Sequence, residues 1–165
     1  MTSIHLVFGP QGAGKSTYAR QLAERTQGVH LSIDSWMATL FGPDVPQPMD
    51  IAWIMQRVRR CEQCIWATSE KIVRAGGTVV LDLGFMKVRN RDAFRALAQE
   101  QGFAVQLHYL QAAHALRRQR VLARNAERGD TFSFEVTPGM FDFMEAQFEA
   151  PSESESSMAH VVHTD

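Results

Sequence analysis

A glycine-rich segment near the start of the chain has the spacing of a phosphate-binding loop. The letters GPQGAGKST begin at Gly9, and Gly9, Gly14, Lys15 and Ser16 fill every fixed position of the pattern G-x-x-x-x-G-K-[ST]. Gly9, Gly12 and Gly14 can adopt backbone angles closed to other residues, which lets several N–H groups point into one concavity. A helix predicted to begin near Lys15 adds its positive end to that concavity. The segment therefore predicts a binding site for phosphate groups.

Three side chains of the same segment can act on a bound nucleotide. Lys15 can reach the β and γ phosphates, and the Ser16 hydroxyl can be a ligand of Mg²⁺. Thr17 can donate a hydrogen bond to the α phosphate. We assign Gln11 and Ala13 to the same site because they complete the loop between the glycines. The segment thus predicts a site for a nucleoside triphosphate with a magnesium ion.

The elements that must hold this loop are predicted by an alternation of strand-like and helix-like segments. Apolar and β-branched runs predict strands at 4–8, 29–33, 78–83 and 103–110. Helix formers with apolar periodicity predict helices at 15–26, 36–41, 50–74, 89–101, 113–128 and 140–148. Residues 160–163 are either a short fifth strand or a frayed tail, and the Ser/Glu-rich residues 151–157 are expected to form a mobile loop. This order predicts an α/β domain with a mainly parallel sheet.

Length and composition indicate one ordinary globular domain over residues 1–165. The chain is 45% hydrophobic and 21% charged, and its formal net charge is -1. That charge removes bulk electrostatics as an argument for binding nucleic acid or a membrane. No apolar run approaches the roughly 20 residues that span a bilayer, and a signal-peptide pattern is absent, so we expect a cytoplasmic protein. Cys61 and Cys64 share one face of a predicted helix, which favours two ordinary helix cysteines over a redox or metal pair.

Two carboxylates and an arginine-rich helix follow the loop in a recognisable order. Asp34 ends the second predicted strand, and Asp82 ends the third in the sequence VVLDLGF. Five arginines lie on the helix that follows the fourth strand. With the loop, these features make the chain resemble the small P-loop kinases, which include polynucleotide kinase, gluconate kinase, chloramphenicol phosphotransferase and the zeta toxins. The resemblance is greatest to the group loosely labelled AAA-type ATP-binding proteins, and it covers Ile4 to about Phe148.

The resemblance implies both a fold and an activity. The fold is the three-layer P-loop NTPase arrangement, with five parallel strands in the order 2-3-1-4-5 and helices on both faces. The activity is transfer of the γ-phosphoryl group of ATP, with Mg²⁺, to a hydroxyl of an acceptor that we take to be a small molecule.

The resemblance also assigns roles to residues at the strand ends. An Asp in the position of Asp34 accepts the proton of the attacked hydroxyl, so Asp34 is a candidate for both catalysis and substrate binding. The alternative is that Asp34 caps the next helix. Asp82 would hold Mg²⁺ through water or contact the substrate, and its alternative is a plain strand-end turn. Arg91, which we prefer to Arg89, would face the acceptor.

The arginine-rich helix occupies the position of the lid in this group, at about 117–134. By resemblance, Arg120 would stack on the adenine and Arg124 would neutralise charge between the β and γ phosphates. A planar, permanently charged guanidinium suits both roles. The alternative is a solvated basic helix, and the sequence does not say which of its arginines face the nucleotide: Arg117, Arg118, Arg120, Arg124 and Arg128.

Two departures from the group bear on the acceptor. Polynucleotide kinases carry an Arg three residues after the catalytic Asp, where this chain has Met37. This weakens the case for a nucleic-acid 5′-hydroxyl, which stays an alternative acceptor. The surrounding aromatic and Met residues line either an apolar acceptor pocket, with Trp36 as a substrate contact, or a plain core. They are Trp36, Met37, Phe41, Met49, Trp53 and Met55.

Other nucleotide-binding classes lack support in the sequence. The Asn-Lys-x-Asp of regulatory GTPases and the Leu-Ser-Gly-Gly-Gln of ABC ATPases do not occur. The remaining rival is an ATP-binding or ATP-hydrolysing switch module without a dedicated acceptor.

Overall fold

A parallel sheet with helices on both faces forms the centre of the protein. The computed structural model describes residues 2–127 and 135–165, and within them the strands are β1 (Ile4–Phe8), β2 (Val29–Ser32), β3 (Val79–Asp82), β4 (Val105–Gln111) and β5 (His160–His163). They lie in the order β2-β3-β1-β4-β5, and each neighbouring pair is parallel. The predicted α/β fold with strand order 2-3-1-4-5 is confirmed, and residues 160–163 form a strand rather than a frayed tail.

Six of the described helices overlap the predicted ones, although α2 begins three residues early, within the predicted strand 29–33, and α7 was not predicted. They are α1 (Lys15–Thr26), α2 (Ile33–Phe41), α3 (Ile51–Arg74), α4 (Val88–Glu100), α5 (His114–Glu127), α6 (Pro138–Gln147) and α7 (Glu153–Met158), with a short 3-10 turn at Gly42–Asp44. Two starts carry capping bonds: the Asp50 carboxylate accepts from Trp53 N at 3.1 Å, and the Thr137 hydroxyl accepts from Met140 N at 3.2 Å. These caps fix the starts of α3 and α6 within two residues of the predicted starts at 50 and 140.

Alternation along the buried strands divides the core between the two faces of the sheet. β1 and β3 are buried at every position, because helices cover both sides of the sheet. Leu6 and Leu81 pack with Ile65 of α3 on one face. Val7 and Val80 pack with Ala19 and Leu22 of α1 on the other face. The ends of β1, β2 and β3 and the start of α1 are thereby fixed at one edge of the sheet.

The Ser/Glu-rich segment at 151–157 is not the loop that its composition predicts. It carries α7, where the Ser152 hydroxyl accepts from Glu155 N at 3.3 Å and the Glu155 carboxylate accepts from Ser152 N at 3.1 Å. The side chain of Glu155 is fully buried against Arg91. Its S-x-x-E spacing is the signature of a capping box, a specific signal that overrides the polar composition.

The two cysteines are free thiols on α3. Cys61 is buried, with its Sγ 3.8 Å from Met37 Sδ, and Cys64 is exposed. Among residues 2–127 and 135–165, no group of three His, Cys, Asp or Glu side chains is placed to hold a metal ion. None of the helices described is long and apolar enough to cross a membrane.

Candidate active site

A cavity of about 820 Å³ opens at the carboxyl edge of the sheet. One end is formed by the glycine-rich loop and the start of α1, and we call it the phosphate end. The facing side, which we call the opposite wall, is formed by the start of α2, the segment after β3, and helices α5 and α6. The structure therefore brings the predicted loop, both predicted carboxylates and part of the arginine helix to one cavity, through Lys15, Ser16, Asp34, Asp82, Arg120 and Arg124.

The loop needs glycine because its backbone runs close to neighbouring main chain. Gly12 has φ of +78°, and a Cβ there would lie 2.5 Å from Arg117 O. A Cβ on Gly9 would lie 2.5 Å from Leu110 O. Gly14 is the N-cap of α1 with φ of 88°, and it brings no side chain to compete for the first amides of the helix. Those amides and the positive end of α1 are left for an anion.

The remaining loop residues contribute unequally. Gln11, Gly12 and Thr17 line the cavity. Ala13 does not, because its side chain is buried in the core and its N–H donates to Pro10 O at 3.2 Å. The Gln11 side chain is buried, and its Oε1 lacks a hydrogen-bond partner among the described residues.

The Lys15 side chain is hydrogen-bonded to carbonyls of the glycine-rich loop. Its ammonium donates to Gly9 O at 2.8 Å and to Pro10 O at 3.3 Å. Burial lowers the pKa of Lys15, while Asp82 and Asp34 raise it. The lysine is thus a desolvated cation facing two carboxylates, and phosphate oxygens could replace the carbonyls as its partners.

Ser16 and Asp82 form a set of oxygen donors that suits magnesium. The Ser16 hydroxyl donates to Asp82 Oδ2 at 2.9 Å, and Asp82 is 5% exposed. A second group, His30 Nε2, lies 3.1 Å from the same carboxylate oxygen. Mg²⁺ prefers hard oxygen ligands and keeps several waters, so one hydroxyl and one nearby carboxylate fit it without a protein cage.

Asp34 stands on the opposite wall, at the second position of α2. It is exposed to the cavity. Partial burial of its carboxyl and the nearby Asp82 raise the pKa of Asp34, while Lys15 and Arg124 lower it. The cap of α2 is the Ser32 hydroxyl, which accepts from Ser35 N at 3.3 Å. The capping alternative for Asp34 is therefore wrong, and the carboxylate is left facing the cavity.

The arginines of α5 have different partners. Arg117 is buried and braces the loop: it donates to Gln11 O at 3.2 Å and to both Glu145 oxygens at 2.7 and 2.6 Å. Arg120 donates to Gly12 O at 3.3 Å, to Thr164 Oγ1 at 3.0 Å and to Thr164 O. Arg120 and Arg124 line the cavity.

Arg124, on the α5 part of the opposite wall, interacts electrostatically with Asp34 of the same wall. Burial lowers its pKa, and Asp34 raises it. Arg118 does not line the cavity. Arg128 and the rest of the predicted lid to residue 134 lie outside the described residues.

Arg91 does not face the acceptor, so that expectation is corrected. Its side chain is fully buried, with Nε 2.7 Å from Glu155 Oε2, and it also donates to Phe85 O at 2.7 Å and Glu149 O at 3.0 Å. The Phe85 carbonyl belongs to the turn after β3, whose neighbour Gly84 lines the cavity. Arg91 therefore stabilises the turn after β3 that forms part of the opposite wall, without itself lining the cavity.

The aromatic segment does not line the cavity, and it is only partly core: Met49 and Met55 are exposed. Trp36, Met37 and Phe41 pack against the core beside α3. None of the six aromatic and Met residues singled out in the sequence lines the cavity, so the cavity does not support Trp36 as a substrate contact. Apolar side chains that do line the opposite wall come from α2, the segment after β3, α5 and the region of α6: Ile33, Met86, Leu116, Val121, Val136 and Met144.

Three polar contacts of the site were not predicted from the sequence. Thr164, just after β5, donates to Ala13 O at 2.8 Å and accepts from Arg120. Glu145 braces Arg117 from α6, and His30 reaches Asp82 from β2. Only His30 carried a sequence signal. It lies two residues before Ser32, the last residue of β2, so its side chain faces the same side of the strand as Ser32.

Comparisons with known proteins agree with this geometry. The family described as an AAA domain matches residues 4–151. The shikimate kinase of Xanthomonas campestris pv. campestris (strain 8004) is 32% identical over 126 residues, which are 74% of this chain and 63% of that protein. The shikimate kinase of Xanthomonas axonopodis pv. citri (strain 306) is 31% identical over 130 residues, or 74% and 67% of the two chains. The matched region thus spans less than two thirds of the length of the first of these relatives, at 63%, and 67% of the second.

Solved structures share the fold at low sequence identity. A putative kinase from Chloroflexus aurantiacus has a TM-score of 0.77 at 17% identity, covering 99% of this chain and 85% of that one. The Mycobacterium tuberculosis APS kinase, solved with AMPPNP and APS, has a TM-score of 0.62 at 14% identity, covering 99% and 89%. Because the family match extends over most of the chain and the curated relatives are kinases, the resemblance to small P-loop kinases is confirmed, and the chain belongs to the AAA domain family.

Proposed function

We propose that the protein is an ATP-dependent kinase that transfers the γ-phosphoryl group to a hydroxyl of a small molecule. The observation that carries this proposal is that one cavity holds both a phosphate loop with Lys15 and a facing carboxylate, Asp34. A phosphate loop alone would serve any nucleotide-binding protein. The kinase names of the sequence relatives support the same class of reaction.

At the phosphate end, the chain binds and orients the nucleotide. The first amides of α1 and the loop N–H groups receive the phosphates, and the Lys15 ammonium turns from the loop carbonyls to the β and γ oxygens. Mg²⁺, held by the Ser16 hydroxyl and through water by Asp82, would supply positive charge beside the phosphates. Thr17 lies on the same rim for the α phosphate.

At the opposite wall, Asp34 handles the proton of the acceptor. As the acceptor oxygen bonds to the γ phosphorus, the bond from that phosphorus to the β–γ bridging oxygen breaks and ADP leaves. The hydroxyl proton passes to Asp34. The raised pKa of Asp34 makes it a better proton acceptor than an ordinary carboxylate. Arg124 would neutralise the charge that moves onto the bridging oxygen, and Arg120, whose guanidinium also donates to Gly12 O and Thr164, would contact the adenine.

The class of acceptor can be identified with a phosphate-transfer assay. The opposite wall combines apolar Ile33, Met86 and Met144 with the polar Asp34 and Arg124. We would incubate the protein with ATP–Mg²⁺ and three sets of candidates, then detect products by mass spectrometry. The sets are neutral sugars and alcohols, carboxylate-bearing alcohols such as shikimate and gluconate, and a 5′-hydroxyl oligonucleotide. Asp34→Asn protein is the matched control.

The outcomes separate the alternatives. Acceptor-dependent phosphate transfer that Asp34→Asn abolishes supports the kinase. ATP binding without transfer to any acceptor would favour a switch module and overturn the proposal. Transfer to the oligonucleotide alone would move the acceptor class from a small molecule to nucleic acid.

A further inference from the structure

We propose that His30 is a positioning residue that fixes the Asp82 carboxylate for the magnesium ion of the nucleotide. This inference rests on the proposed function. One oxygen of Asp82, Oδ2, receives both the Ser16 hydroxyl at 2.9 Å and His30 Nε2 at 3.1 Å. The side chain of Asp82 is 6% exposed and that of His30 is 22% exposed, so this contact is largely shielded from water.

The strand register explains why a histidine of β2 reaches this carboxylate. In the parallel pair of β2 and β3, His30 lies opposite Val80 and Ser32 lies opposite Asp82. His30 and Ser32 are two apart, so they face the same side of the sheet, and that side is covered by α1. His30 is therefore the diagonal neighbour of Asp82, at a separation that a long ring side chain can bridge.

The two donors to Asp82 have different tasks once a nucleotide is bound. The Ser16 oxygen must turn toward the metal, because it is itself a candidate ligand. His30 has no such second task, so its Nε2–H can keep the carboxylate in one orientation throughout. Asp82 needs this support because it is buried and because the Asp34 carboxylate of the same cavity repels it.

Removing a donor that hydrogen-bonds to a metal-holding carboxylate commonly weakens metal binding by about 10- to 100-fold. We therefore expect His30→Leu to weaken Mg²⁺ binding by that factor in the presence of nucleotide. Binding of the nucleotide without metal should stay within about two-fold, because His30 does not line the phosphate end. A histidine that only packs β2 would not produce this split.

The experiment is a titration of metal and nucleotide that does not depend on turnover. Calorimetry measures binding of AMPPNP to the full chain in EDTA and in Mg²⁺, and electron paramagnetic resonance measures Mn²⁺ bound to the AMPPNP-loaded protein. His30→Gln keeps an N–H donor at similar reach and should restore metal affinity. His163→Leu, at the exposed end of β5, is the matched control. If His30→Leu does not fold, His30→Asn, whose amide is too short to reach Asp82, takes its place.

Each outcome decides a separate point. Weaker metal binding in His30→Leu, with normal metal-free nucleotide binding and rescue by His30→Gln, supports the inference. Equal metal affinity in His30→Leu and the unaltered protein would overturn the inference about His30 and leave the proposed function unaffected. A parallel loss of metal-free nucleotide binding and thermal stability would show a merely structural role and also overturn it. Absence of metal-dependent nucleotide binding in the unaltered protein would instead overturn the proposed function, and this inference with it.

Discussion

The two ends of the cavity differ in what fixes their geometry. At the phosphate end the main chain does so: a Cβ on Gly9 or Gly12 would lie 2.5 Å from a carbonyl oxygen of a neighbouring segment. At the opposite wall, side chains from separate elements do so, with Asp34 from α2, Arg124 from α5 and Met144 from α6. The phosphate end can therefore change little without disrupting the fold, whereas the wall can change its side chains and keep the fold.

This difference bears on function as well as on stability. Binding of phosphate groups is the same task in every nucleotide-binding relative, so a backbone-built site suits it. The acceptor differs from one kinase to the next, so side chains that can be substituted without changing the fold are suited to select it. Mutations at the phosphate end should therefore affect nucleotide use as a whole, and mutations at the wall should affect transfer with nucleotide binding preserved.

The largest effect is expected at the phosphate end, from Lys15→Ala. Lys15 is the cation that the loop itself carries to the β and γ phosphates, so its loss should reduce ATP turnover by about 10³-fold. Thermal unfolding should change little, because burial already lowers the pKa of Lys15 and opposes its charge. Steady-state ATP consumption and calorimetry measure both effects. Lys71→Ala, on an exposed position of α3, is the control. Undiminished turnover in folded Lys15→Ala would refute the nucleotide site.

The next effect is expected at the wall, from Asp34→Asn. Transfer to the acceptor should fall by at least about 10²-fold, with ATP affinity within a few-fold of the unaltered protein. The variant should also be more stable at neutral pH. The raised pKa of Asp34 favours the folded protein while the carboxyl is protonated, and that contribution is lost as pH rises through the raised pKa.

The raised pKa of Asp34 should also set the pH dependence of transfer. Transfer by the unaltered protein should decline as pH falls through the raised pKa of Asp34, because the protonated carboxyl cannot accept a proton. Asp44→Asn, on the exposed 3-10 turn, should leave both rate and stability unchanged. A matching loss of Mg²⁺–ATP binding in Asp34→Asn would instead assign Asp34 to the metal.

The same division between backbone and side chain governs what the sequence could predict. The loop, β1 and α1 were predictable because glycine freedom and apolar runs act within a few residues. The caps of α3 and α6, Asp50 and Thr137, are equally local. The burial of Arg91 was not, because its partner Glu155 lies 64 residues away and its other acceptors are main-chain carbonyls. Glu155 itself carried a readable signal, the capping-box spacing from Ser152, that the polar composition obscured.

Two arginines of α5 should separate binding from chemistry: Arg120, which contacts the loop at Gly12 O, and Arg124, at the opposite wall. Arg124→Ala should lower kcat by about 10- to 100-fold, the worth of a hydrogen bond to a charged group, because charge moves onto the bridging oxygen only during transfer. Arg120→Ala should mainly raise KM for ATP, by about 10-fold, since Arg120 holds Gly12 O and Thr164 beside the phosphate end. Arg118→Ala is the control, because Arg118 does not line the cavity.

A hydrogen-exchange experiment tests whether these arginines lie on a lid. Amides of α5 and α6 should exchange more slowly when a non-hydrolysable ATP analogue is bound. Equal exchange with and without the analogue, together with parental kinetics in both variants, would leave the arginines as a solvated helix face.

The smallest effect is expected where the two ends are joined, at Arg117 and Glu145. Arg117 binds the loop carbonyl of Gln11 and, through Glu145, ties it to α6 of the wall. The hydrogen bond from Arg117 holds the pKa of Glu145 below its usual value. Because Glu145 is partly exposed, Glu145→Gln should cost at most about 1 kcal/mol of unfolding free energy at neutral pH.

The sign of the pH dependence makes this last prediction specific. A lowered carboxyl pKa stabilises the folded protein above the usual glutamate value, and that stabilisation is lost as pH falls through the lowered pKa. Urea unfolding should therefore separate Glu145→Gln from the unaltered protein at neutral pH and bring the two together once the pH lies below the lowered pKa of Glu145. Glu100→Gln, at the exposed end of α4, should show no separation at either pH. A difference between Glu145→Gln and the unaltered protein that persists unchanged at low pH would mean that shape rather than charge joins α6 to the loop.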